Sequence, residues 1–71
     1  MRFSVEIYRD GPDGSAQMIH RMTIYALTPK RIKSVAADQL KIWAPRGATR
    51  VVIHNPSKQK LYEWRVGEEP P

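Results

Sequence analysis

The sequence predicts an α+β domain: a four-stranded, mainly antiparallel sheet with one helix packed on one face, in the order β-hairpin, helix, β-hairpin (ββαββ). Three observations predict it. Apolar and polar residues alternate over residues 2–9, apolar residues recur at steps of three and four over residues 29–43, and two further β-branched and aromatic runs follow, bounded by turn-forming residues.

In the first strand, Arg2 to Arg9, Phe3, Val5 and Ile7 fall on one side and Ser4, Glu6 and Tyr8 on the other, the period of a half-buried strand. Asp10-Gly11-Pro12-Asp13-Gly14-Ser15 then gathers turn formers: Gly supplies positive φ, Pro fixes φ, and Asp bonds its own backbone. Gln17 to Leu27 reads as the return strand, with Met18, Met22, Ile24 and Ala26 as its core face. That register turns His20 inward.

Leu27-Thr28-Pro29 marks a helix start. Thr28 is the N-cap, Pro29 occupies the first helical position where its missing N–H costs nothing, and Leu27 and Ile32 have the spacing of a hydrophobic staple. Ile32, Val35, Ala36, Leu40 and Trp43 form the apolar stripe, while Lys30, Arg31, Lys33, Ala37, Asp38 and Lys41 cover the rest. Ala44-Pro45-Arg46-Gly47 ends the helix, because a residue before Pro is pushed out of the α region. The predicted helix is Pro29 to Trp43.

Thr49 to His54 is the third strand, apolar on both faces as a central strand is. Asn55-Pro56-Ser57-Lys58 is a turn, and Leu61 to Val66 the fourth strand, with Tyr62, Trp64 and Val66 toward the core. The first and third strands are the most apolar, which places them centrally and predicts the order 2-1-3-4; the rival is 1-2-3-4 through a right-handed crossover. The predicted core is Phe3, Val5, Ile7, Ile32, Val35, Leu40, Trp43, Val51, Ile53 and Trp64. Residues 1–66 are read as one compact domain and 67–71, Gly-Glu-Glu-Pro-Pro, as a disordered acidic tail.

A chain of 71 residues is a small scaffold, and small scaffolds need a staple. With no Cys there is no disulfide, and two His do not fill a closed zinc site. Self-association gains weight as the remaining staple. Met1 to Glu6 has no apolar h-region and no run is long enough to span a bilayer, so the reading expects no signal peptide, no membrane partner and a cytoplasmic protein. Twelve Lys and Arg against seven Asp and Glu give +5, and setting aside Glu68 and Glu69 leaves twelve against five. That surplus favours nucleic acid or an acidic protein as partner; its competing reading is solubility alone.

No catalytic signature is present. His20 and His54 sit in no nucleophile, metal or phosphate motif, Gly11 and Gly14 form no P-loop or dinucleotide fingerprint, and the serines lack an activating turn. The chain is therefore expected to be non-enzymatic, without metal or cofactor. Two surfaces remain. Lys30, Arg31 and Lys33 crowd a helix start, where the dipole disfavours cations, so an anion bound there would meet the dipole, free amides and all three charges. The competing reading is that these side chains splay into water. The open sheet face would carry Tyr8, Ile19, Tyr25, Val52, His54 and Leu61 together with Arg21, Arg50 and Arg65. Aromatics with Arg suit a protein interface or, by stacking, unpaired bases. The functional expectation is a small interaction module, self-associating as a homodimer through that face or through an edge strand, the fourth strand's edge being blunted by Lys58, Lys60 and Arg65. The alternative is nucleic-acid or other polyanion binding through Lys30, Arg31, Lys33, Arg21, Arg50 and Arg65.

Overall fold

A computed structural model of the protein describes residues 1–26 and 28–71. The chain forms β1 (Arg2–Asp10), β2 (Ala16–Tyr25), α1 (Pro29–Trp43), a 3-10 turn (Ala44–Arg46), β3 (Arg50–His54) and β4 (Lys60–Arg65). The sheet order is β2-β1-β3-β4 and every neighbouring pair is antiparallel, which is the predicted topology.

Alternation in β1 does what the sequence asks: Phe3, Val5 and Ile7 are buried under the helix, while Ser4, Glu6 and Tyr8 face the other way. The helix starts where Thr28, in extended geometry, accepts the Arg31 N–H on its Oγ1 at 3.2 Å. The expected staple partner, Leu27, lies outside the described residues. The chain leaves the 3-10 turn through Gly47 at φ 100°, a left-handed conformation that favours glycine, and a Cβ there would stand 3.1 Å from the Arg9 side chain, which would have to give slightly. Ile32, Ala36 and Leu40 bury against Phe3, Val5, Ile7, Val51, Ile53 and Trp64. Val35 and Trp43 are only half-buried, and Ala37, read as surface, packs on the core instead. No helix is long and apolar enough to cross a membrane among the described residues.

Two bulges correct the expected faces. In β2 the pairing Ile7↔His20 is followed by Tyr8↔Met18, which leaves Ile19 as an extra residue and inverts the parity beyond it. Met18, expected in the core, is 45% exposed opposite Tyr8, while Ile19, expected on the open face, packs against the core. His20 is on the inward side, as the register required. The second bulge, at Leu61, brings Lys60 opposite His54. Val66, expected in the core, lies beyond β4 and is 49% exposed; its N–H still reaches Thr49 O at 3.0 Å, but the chain turns at Gly67 and Val66 only lines a shallow groove beside α1. Residues 67–71 run back along the helix, with Pro71 O accepting from Lys33 Nζ at 2.6 Å.

α1 packs chiefly over the two central strands, β1 and β3. The inward side chains of edge strand β2 are covered least: Ile19, Met22 and Ile24 are half-buried, where Val5 and Ile53 are fully buried.

Candidate interaction surface

The open face of the sheet is laid out by cross-strand rows. Tyr8, Arg50 and Arg65 lie side by side, then Glu6, Val52 and Glu63, with Arg21 beyond Glu6. Asp10 is the hub at one end. Its Oδ1 is 3.0 Å from Arg50 Nε, its Oδ2 is 3.4 Å from Arg65 Nη1, and the Thr49 hydroxyl donates to Oδ2 at 2.8 Å while accepting the Asp10 N–H at 3.0 Å. Arg50 also reaches Glu63 at 2.8 Å, and Lys60 meets the other oxygen of Glu63 at 2.8 Å. The Thr49 hydrogen bond, then Arg50, holds the Asp10 carboxyl below the usual carboxylate range, and Lys60 does the same for Glu63.

Tyr8 has the Arg50 guanidinium 4.4 Å from its ring centroid and donates its hydroxyl to Glu6 at 2.8 Å. Burial, reinforced by that bond, pushes the phenol up. Arg21 and His54 approach Glu6 at 3.8 and 3.5 Å. Arg21, Arg50, Lys60 and Arg65 are thus interleaved with the carboxylates of Glu6, Asp10 and Glu63.

The six residues read as a polyanion site are therefore split. Arg21, Arg50 and Arg65 share the open face, each against a carboxylate. Lys30 and Arg31 stand exposed at the helix start, with no acidic residue in the first turn. Lys33 lies 4.9 Å over the Tyr62 ring. Of the residues read as an interaction face, Tyr8 is roofed by Arg50, and Val52 is 4% exposed between Glu6 and Glu63. Leu61 is exposed in its bulge and Tyr25 is 77% exposed. A shallow groove of about 620 Å³ crosses the same face, but its lining is polar: Ser4, Glu6, Arg21, Thr23, His54 and Lys58 among others.

The two sheet edges differ more than the faces do. Met1 and Ala26 exchange both backbone bonds, at 3.0 and 3.1 Å. Hydrogen-bonded pairs alternate along an antiparallel ladder, so the N–H and C=O groups of Ile24, Met22 and His20 also point to β1, and those of Tyr25, Thr23 and Arg21 point outward. β2 is ten residues long, has no Pro, and carries Arg21 as its one Lys, Arg, Asp or Glu. On β4 the bond from Val66 to Thr49 turns the Arg65 N–H outward, and there it donates to Glu68 Oε1 at 2.6 Å. Lys60, Glu63, Arg65 and the Leu61 bulge further obstruct this edge.

Sequence reasoning missed Asp10, taken as a turn residue, although it continues the even-numbered series of Ser4, Glu6 and Tyr8. It also missed Glu68, which has no local signal because its partner is set by the turn at Gly67. Compared with known families, with curated proteins and with solved structures, the chain finds no match in any of the three.

Proposed function

We propose that this protein is a small, non-enzymatic interaction module that self-associates through the edge of β2. The observation that carries the reading is the asymmetry of the edges. On β4 the outward Arg65 N–H is taken by Glu68 and charges flank it, whereas β2, up to its bulge at Ile19, offers the outward backbone groups of Arg21, Thr23 and Tyr25 with a single charged side chain. The half-covered side chains of Ile19, Met22 and Ile24 beside these groups add apolar area that a second strand would bury. The open face, favoured on sequence, is set aside because its arginines and Tyr8 are committed to each other. Sedimentation from one to several hundred micromolar tests the proposal. A concentration-dependent dimer is expected, and a monomer throughout removes the reading.

One observation favours polyanion binding as a second reading: Lys30 and Arg31 are exposed at the helix start with no carboxylate in the first turn. Titration of single-stranded RNA and duplex DNA at two salt concentrations separates the two. Phosphate contacts weaken steeply with salt, whereas pairing of two copies that each carry +5 strengthens as salt screens them.

A further inference from the structure

We infer that two copies join about a two-fold axis at Thr23, with β2 antiparallel to β2 of the second copy, Thr23 beside Thr23, Arg21 beside Tyr25 and Met22 beside Ile24. This inference rests on the self-association proposed above and adds its register and its contacts.

The ladder restricts the choices. Only Arg21, Thr23 and Tyr25 turn their N–H and C=O groups outward in the regular part of β2, so a second copy must pair odd-numbered residues with odd-numbered ones. An axis at Arg21 sets two guanidinium groups directly opposite each other, which destabilises a strand pair. An axis at Met22 sets Tyr25 against Ile19, where the bulge breaks the ladder. Axes at Ile24 or Tyr25 run the pairing past the end of the strand. The axis at Thr23 engages all three outward residues of each copy and opposes no like charges.

The side chains fit the same register. On the open face Tyr25 is 77% exposed and the Arg21 side chain 61%, and pairing brings guanidinium and phenol ring together twice, by symmetry. The molecule already uses that pair within itself, where Arg50 lies 4.4 Å from the Tyr8 ring. On the helix side Met22 and Ile24, both half-buried, close over each other, and both helices lie on one side of a continuous eight-stranded sheet.

The chain has no Cys, so single-cysteine variants report the register cleanly. Residues in a hydrogen-bonded antiparallel pair have Cα atoms about 5.5 Å apart, within the span of a disulfide. Thr23→Cys is expected to form a disulfide-linked dimer under oxidation much faster than Met18→Cys, which lies on the same strand and is also exposed. As a second measurement, Arg21→Glu should raise the dimer dissociation constant about tenfold, from two symmetry-related cross-strand pairs, and adding Tyr25→Lys should restore it. Restoration cannot come from repair within one copy, because residue 25 there faces Arg2. A dimer in which Met18→Cys links as fast as Thr23→Cys overturns this register and leaves self-association standing. A monomer at every concentration, with neither variant linking, overturns both.

Discussion

The imidazole of His20 stacks on the indole of Trp43, ring centroids 4.7 Å apart and planes 24° from parallel. This contact ties edge strand β2 to the last turn of α1, whereas the helix packs chiefly over β1 and β3. The Arg46 guanidinium adds a further layer 5.1 Å from the Trp43 ring. His20→Ala should cost about 1 kcal/mol beyond the area it uncovers, and His20→Phe should keep most of it. Urea unfolding of the two variants measures the difference; equal stabilities would mean the stack contributes nothing.

Leu40 on the helix and Ile53 on β3 both belong to the core between helix and sheet, 5% and 0% exposed. Truncating either to Ala should destabilise by roughly 2–5 kcal/mol, through lost transfer energy and the cavity left behind. A domain this small has little stability to spare, so the variants should be partly unfolded at 37 °C by circular dichroism. Val66→Ala, at an exposed position, should change stability by less than about 0.5 kcal/mol.

The Asp10 and Glu63 carboxyls are held below their ordinary values, by Thr49 and Arg50 in the first case and by Lys60 in the second. In acid the unfolded chain therefore binds more protons than the folded one, and stability rises with pH. Their contribution is complete above the unfolded carboxyl values, about pH 4, and is lost as pH falls through the lower folded values. Thr49→Val should lower stability at pH 7, and its gap from the parent protein should narrow below about pH 4 as Asp10 gains its proton. Melts across pH 2–7 would show a constant gap if the Thr49 hydroxyl had no part in holding the carboxylate.

At the helix start, Thr28→Ala should cost about 1 kcal/mol through the lost cap on the Arg31 N–H. Lys30→Glu and Arg31→Glu should leave stability unchanged or raise it by a few tenths of a kcal/mol, since they relieve the conflict with the dipole. Marked destabilisation in thermal melts would mean these cations make structural contacts of their own.

The helix was legible to its ends because its signals are local: Thr28-Pro29 at one end and Pro45 at the other bound the stripe of Ile32, Ala36 and Leu40. The strand order was legible from the apolar runs of β1 and β3, which only central positions bury. The bulge at Ile19 was not, because neither Gly nor Pro marks it and Ile19 and His20 suit a regular strand equally well. One unmarked residue exchanged the faces of Met18 and Ile19. The open face showed its residue types but not its pairings. Arg50 alone reads as a free cation, and only the order β1-β3-β4 sets it between Asp10 and Glu63.

The two sheet edges differ in the same way, by what pairs with them. The outward N–H of Arg65 is the point on β4 where an added strand would begin to pair, and the Glu68 carboxylate occupies it at 2.6 Å. On β2 the corresponding groups of Arg21 and Thr23 have no partner among the described residues. Glu68→Ala should therefore free the Arg65 amide and accelerate its hydrogen exchange, while exchange at Thr23 stays as it was. The variant should also form larger assemblies, because each copy then offers two usable edges and pairing no longer closes at a dimer. Exchange by NMR and light scattering test the two consequences separately. An unchanged Arg65 rate would mean that Glu68 does not cap the edge, and faster exchange without assembly would leave the Leu61 bulge and the charges of Lys60, Glu63 and Arg65 as the features that keep β4 closed.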